Sequence, residues 1–199
     1  MNKSIMIVGV GGQGTLLASR ILGNVAIKLL GRVLCNEGYD VKVSEVHGMS
    51  QRGGSVVTYV RYGDKVYSPV INKGGADIIL AFEQLEAYRY LEFLKKDGKL
   101  IVNTQKIDPM PVIIGAAKYP EGIIEKISEM GVSLIALDAA ELALKAGNVK
   151  AVNVALIGVL ASKMDIDKNV WLEVIKETVP PKFYEVNVAA FELGYAFEK

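Results

Sequence analysis

One histidine and one cysteine in 199 residues leave little material for the commonest site chemistries. The single cysteine, Cys35, excludes an internal disulfide and any all-cysteine metal or iron–sulfur site within the chain. No cluster of ligating side chains has metal-site spacing, no Gly-x-Ser-x-Gly elbow occurs, and no Walker lysine follows a glycine loop. The formal net charge is +1 with both signs scattered, which gives no basic footprint for nucleic acid. No apolar run is long enough to span a bilayer. Met1-Asn2-Lys3-Ser4 runs straight into a short apolar stretch and lacks the h-region and cleavage site of a signal peptide. These absences predict a cytoplasmic protein that binds neither nucleic acid nor membrane. Cys35, with no Cys-His pattern around it, reads as a packing residue.

What is there is an apolar, ordered chain. Hydrophobic residues make up 51% and charged residues 23%, a balance that excludes disorder. The length suits a single α/β domain over 1–199 with a real core. Ser4–Val8 is a β-rich apolar run of the kind buried on both faces of a sheet. Gly9-Val10-Gly11-Gly12-Gln13-Gly14 follows, and then a helix-period segment with Leu17, Ile21 and Val25 on one stripe. Gly23 and Gly31 interrupt that pattern and predict a break or restart before Cys35. A second strand is expected over about Asp40–Glu45 and a third over Ser55–Tyr62, which alternates in a strand period. Gly63-Asp64 then predicts a turn with Lys65–Ser68 as a short antiparallel return.

Further along, Ala76–Ala81 reads as a strand, Gln84–Lys95 as a helix closed by Gly98, and Lys99–Asn103 as another strand. Thr104–Pro120 holds three prolines and predicts an irregular connection with one strand near Val112–Gly115. A helix over Glu121–Met130, a strand over Ser133–Leu137 and a helix over Ala139–Ala146 complete the mixed part. From Val152 the pattern is helical throughout: Val152–Lys163, Lys168–Thr178 and about Phe183–Phe197, with Pro180-Pro181 separating the last pair. The aromatics Phe183, Tyr184, Phe191, Tyr195 and Phe197 read as core or interface. The fold class is α/β, a Rossmann-like mostly parallel sheet with an antiparallel hairpin and a helical C-terminal part.

Two stretches carry the candidate chemistry. Gly9, Gly11 and Gly14 fit G-x-G-x-x-G in the strand-to-helix context where the helix N-terminus favours an anion. The same glycines also serve simply to let strand and helix pack closely. Gln13 offers an amide for a ligand or a brace for the loop. The second stretch is Glu45-Val46-His47-Gly48-Met49-Ser50-Gln51-Arg52-Gly53-Gly54-Ser55. His47 is the one candidate for a catalytic role, because histidine is the side chain suited to acid–base work near neutral pH; the favoured reading of a lone histidine is a loop residue satisfied by a carbonyl or a nearby carboxylate. Arg52 suits a bidentate clamp on carboxylate or phosphate, or an ion pair. The candidate ligand-binding set is Gly9, Gly11, Gly12, Gln13, Gly14, His47, Gln51, Arg52, Gly53 and Gly54, with no metal ligand. A stand-alone dinucleotide-binding Rossmann reductase, with Glu45 on the ribose hydroxyls, is the alternative.

Taken together, Gly9–Gly14 and the Glu45–Val56 stretch resemble the small, gamma-type subunit of the 2-oxoacid:ferredoxin oxidoreductases. The His-Gly-Met-Ser-Gln-Arg-Gly-Gly version is most similar to the indolepyruvate branch of that family, whose small subunit is called beta. The segment between Gly14 and Gly38-Tyr39 is about two helical turns longer than that family leads one to expect. The resemblance implies a subunit inactive by itself that helps oxidative decarboxylation of an arylpyruvate with CoA to acyl-CoA, carbon dioxide and reduced ferredoxin. It implies that no cofactor is bound by this chain alone. Thiamine diphosphate and iron–sulfur clusters are expected on a large partner subunit, with CoA as co-substrate and ferredoxin reached through the heteromer. The physical expectation is that Gly9–Gly14 and Glu45–Ser55 lie together at the carboxyl edge of the parallel strands, where open α/β sheets bind ligands.

Overall fold

The computed structural model describes residues 2–33, 40–47 and 53–197; Cys35, Gly38, Tyr39 and the stretch Gly48, Met49, Ser50, Gln51 and Arg52 lie outside the described residues. The chain opens with β1 (Lys3–Val10), buried along almost its whole length. The glycine turn follows, and then α1 (Thr15–Val33). α1 runs unbroken through Gly23 and Gly31, contrary to the expected interruption. Gly23 has a packing role instead: a Cβ there would sit 3.3 Å from the Val43 side chain. Glycine costs a helix about 1 kcal/mol relative to alanine, and the fully buried Ile21, Leu22 and Val25 offset that.

β2 (Asp40–His47), β3 (Ser55–Gly63), β4 (Ala76–Ala81), β5 (Leu94–Asn103) and β6 (Ser133–Leu137) complete a six-stranded sheet among the described residues, in the order β2-β3-β1-β4-β5-β6. β1, β4, β5 and β6 are parallel, whereas β3 runs antiparallel to both β1 and β2. The antiparallel hairpin is therefore β2–β3. The return strand expected over Lys65–Ser68 does not form, because both edges of β3 are already hydrogen-bonded by β1 and β2. That segment is held instead by the Arg61 guanidinium, which donates to Ser68 O at 2.8 Å and Val70 O at 3.2 Å.

Two further expectations change. The helix α2 (Gln84–Arg89) stops short of Lys95, and a 3-10 turn over Leu91–Phe93 leads straight into β5. Gly98 does not cap that helix; it lies inside β5, where a Cβ would come within 3.0 Å of Ala76 O. Near Val112–Gly115 there is the short helix α3 (Met110–Ile113) rather than a strand. Pro109 O accepts from Val112 N and Ile113 N, and Pro111 supplies a φ already suited to a first turn.

The remaining helices are α4 (Ile123–Glu129), α5 (Ala139–Lys145), α6 (Val152–Ser162), α7 (Lys168–Thr178) and α8 (Tyr184–Tyr195). They match the periodic segments closely. Alternation along β1 divides the core: Ile5 and Ile7 face a layer with α1, α6, α7 and α8, while Met6 and Val8 face α2 and α4. Phe191 is fully buried between Trp171 and Tyr195, with ring centroids 6.4 and 5.7 Å away. α6 and α8 approach so closely that a Cβ on Gly194 would lie 2.0 Å from Ala155 O. Among the described residues, no helix is long and apolar enough to cross a membrane.

Candidate functional site

The two glycine stretches meet. Register along β1 and β3 places Val10 opposite Ser55, so the turn leaving β1 and the turn entering β3 emerge side by side. Gly11 N donates to Gly54 O at 2.9 Å, and Gly53 N reaches back to Gly11 O at 3.4 Å. Both stretches need glycine geometry: Gly12 has φ +102°, Gly14 φ +80° and Gly53 φ +76°, values that a side chain with a Cβ rarely adopts. β2 runs in the same direction as β1, two places away, so His47 at its end also reaches this edge.

Gln13 braces the turn and also lines the larger of the two cavities beside it. Its Oε1 accepts Val10 N at 2.8 Å; its Nε2 donates to Phe82 O at 2.9 Å and Gln105 Oε1 at 3.1 Å. Asn103, itself 1% exposed, donates to the same Phe82 O and accepts Ala139 N at 3.0 Å. The glycine turn is thus sewn to the ends of β4 and β5 by side-chain amides.

A cavity opens on each side of that turn. One, of about 410 Å³, is lined by Gly11, Gly12, Gly14 and the start of α1, with Glu45, His47 and Val56 opposite. The other, of about 670 Å³, lies between Gly11–Gly14 and Gln105, Ile107, Lys150 and Asn153. Gly9 belongs beneath the turn rather than in either cavity: a Cβ there would meet Gln13, Phe82 and Thr15 at 2.9 to 3.1 Å. Helix starts concentrate N–H groups and positive potential, and here the start of α1 borders the first cavity, with Gly14 shared by both. The arrangement suits an extended anionic molecule laid across the turn. His47 is exposed, and Thr58 Oγ1 donates to Glu45 Oε2 at 3.4 Å. Gln51 and Arg52 fall outside the described residues, next in sequence to Gly53.

The sequence reading missed the groups beneath the mouth. Glu83 is 1% exposed and Glu86 5% exposed, both at the start of α2. Glu83 Oε2 caps the helix by accepting Glu86 N at 2.9 Å, while its Oε1 accepts Ile107 N at 3.3 Å and the Tyr119 hydroxyl. Glu86 Oε2 accepts the Ser55 hydroxyl at 2.5 Å, and the Arg89 guanidinium lies 3.5 Å from its Oε1. Burial raises the Glu86 carboxyl above its usual range, against the opposing pulls of Ser55 and Arg89. Burial, with the Glu83 carboxylate, pushes the Tyr119 phenol well up. The available signal was position: these acids follow directly on the apolar β4, at the carboxyl end of a parallel strand, where open α/β sheets place sites.

The fold and the joined turns define an α/β cradle in which an antiparallel strand sits between β1 and β2. In a dinucleotide-binding Rossmann domain those two strands are neighbours; here β3 separates them and moves Glu45 away from the ribose position, so a stand-alone reductase is not favoured. Comparison with known proteins agrees. Residues 4–197 match the family described as pyruvate ferredoxin/flavodoxin oxidoreductase. Indolepyruvate oxidoreductase subunit IorB of Pyrococcus horikoshii is 46% identical over 96% of this chain and 93% of its own length. The IorB subunit of Thermococcus kodakarensis is 44% identical over the same shares. Among solved structures, pyruvate oxidoreductase subunit PORC of Thermotoga maritima superposes with a TM-score of 0.71 at 22% identity, covering 98% of this chain and 95% of that one. The chain belongs to the pyruvate ferredoxin/flavodoxin oxidoreductase family, as a small subunit of a 2-oxoacid:ferredoxin oxidoreductase.

Proposed function

We propose that this chain is the small, gamma-type subunit of an arylpyruvate oxidoreductase, with indolepyruvate as the leading substrate, and that its joined glycine turns bind an anionic part of the reactants. The single observation that carries the site reading is the pair of hydrogen bonds linking Gly11 with Gly53 and Gly54. The substrate class rests on the similarity to the IorB subunits. In this reading the overall reaction converts an arylpyruvate and CoA to an arylacetyl-CoA and carbon dioxide, with electrons passed to ferredoxin. The family chemistry calls for thiamine diphosphate and iron–sulfur clusters. One cysteine in the sequence cannot ligate a cluster, and the described residues hold no group of three ligating side chains for a metal ion. That donor set does not fit a cluster, and in this reading the clusters and the thiamine diphosphate belong to a large partner subunit.

This chain's own contribution is to bind and orient. Backbone N–H groups at the turn and Arg52 would face phosphate or carboxylate oxygens of CoA or the oxoacid, with His47 and Gln51 supplying hydrogen bonds. The partner subunit would close the mouth. Arg52→Ala in the purified heteromer tests this. Loss of one charge-assisted contact, worth about 1.5–3 kcal/mol, should raise KM for CoA or oxoacid roughly 10- to 100-fold with the heteromer still assembled. Unchanged activity would remove the site role, and dissociation of the heteromer would make the stretch an interface device.

A further inference from the structure

Two buried acids at the start of a short helix are an expensive way to hold a turn, and they do not line the cavities above them. Burying an ionisable group costs free energy unless partners compensate. Here each acid spends its hydrogen-bonding capacity on a different rim of the mouth. Glu83 reaches Ile107 and Tyr119, which close the neck of the exposed 107–119 excursion, and Ile107 lines the larger cavity. Glu86 reaches Ser55, the first residue of β3, whose neighbour Gly54 accepts the Gly11 N–H. The two acids are themselves joined through the Glu86 N–H to Glu83 Oε2 bond. Tyr90 OH lies 3.2 Å from Ser55 Oγ. A serine hydroxyl has one proton to give, so with Ser55 donating to Glu86, the Tyr90 phenol donates to Ser55.

We infer that Glu86 is a positioning residue: through Ser55 it latches the start of β3 to the same short helix from which Glu83 holds the opposite rim. α2 thereby sets the spacing across the mouth. The inference rests on the mouth being the ligand site, and its test separates the two.

Three variants of the assembled heteromer are compared: Glu86→Ala, Ser55→Ala and Glu86→Gln. Glutamine keeps a carbonyl oxygen to accept the Ser55 proton and removes the charge. For Glu86→Ala and Ser55→Ala, hydrogen exchange in peptides spanning 53–60, at the start of β3, should accelerate about 10-fold or more, the loss of roughly one hydrogen bond. KM for CoA or oxoacid should rise several-fold while kcat stays within about two-fold. Glu86→Gln should leave both readouts near the wild type. Exchange unchanged in Ser55→Ala, which is small enough to fold, overturns the latch whatever the kinetics do. Equal damage in Glu86→Gln and Glu86→Ala also overturns it, since charge and not the accepted hydrogen bond would then matter. Faster exchange with KM unchanged, in these variants and in Arg52→Ala alike, leaves the latch standing and removes the ligand reading of the mouth.

Discussion

The parallel part of the sheet and its antiparallel edge are built to different standards. β1 is buried at every position after Lys3, and β4 at all but one. β2, two strands away, has no fully buried residue, and leaves Val43 47% and Val46 56% exposed. The difference follows from what covers each. Helices lie on both faces of the parallel strands, as crossovers require, whereas β2 is an edge strand whose main cover is α1. The parallel part therefore supplies stability, and the edge supplies surface. The glycine mouth sits where they meet, with β1 rigid on one side and β2–β3 on the other.

That contrast can be broken most severely in the helical layer. Gly194→Ala drives a Cβ into the Ala155 carbonyl oxygen, a backbone atom that cannot yield as the end of a flexible side chain would. The expected cost is about 3 kcal/mol or more, read as a large drop in the denaturation midpoint or as failure to fold. A mild effect would mean that α6 and α8 slide apart freely, contrary to a rigid layer over β1.

The next test sets the two strands against each other. Ile7→Ala in β1, where the side chain is fully buried, should cost about 2–5 kcal/mol. Val46→Ala in β2 should change the stability of the chain by less than about 0.5 kcal/mol. If urea unfolding gave equal losses, the division into a stabilising part and a surface part would be wrong. If Val46→Ala weakened assembly into the oxidoreductase complex while sparing the chain itself, the edge would be sharpened into a contact surface.

The smallest effect concerns pH. Burial holds the folded-state pKa of Glu86 above its ordinary value of 4.5. A raised carboxyl pKa means that the folded chain holds this proton more tightly than the unfolded one, so the associated stability is fully present below about pH 4.5 and is lost as pH rises through the folded value. Glu86→Gln removes that loss. Its stability relative to the wild type should be lowest in acid and improve toward neutral pH, as measured by urea midpoints across that span. A difference independent of pH would show that the carboxyl is not held up by burial.

How much of this was legible beforehand depended on the range of the interaction. α7 was readable at both ends, because its apolar stripe has helical period and Pro180-Pro181 stops it; the structure adds Asp167, which caps its start by accepting Asn169 N at 2.7 Å. The strand–glycine–helix opening was equally plain. Expectation failed where a local signal competed with a distant partner. Gly23 looks like a helix breaker until β2 arrives against it. Gly98 looks like a helix cap until the Ala76 carbonyl packs against it, and Gly63-Asp64 looks like a hairpin turn until β1 and β2 occupy both edges of β3. The candidate site divides in the same way. The glycines were visible as motifs, but their mutual hydrogen bonds depend on a register between β1 and β3 that no local pattern encodes. Glu83 and Glu86 were hidden because acids at a helix start are ordinary on a surface, and only packing shows them buried.

By itself, then, the order of residues decided the elements: where strands alternate, where helices begin, and which turns must carry glycine, all set by contacts within a few positions of one another. Tertiary structure alone decided that β3 enters between β1 and β2, that two glycine turns become one mouth, and that two acids end up beneath it. Those outcomes come from pairing and burial among segments far apart in the chain, whose free energies appear only once the whole sheet and its helical cover are assembled.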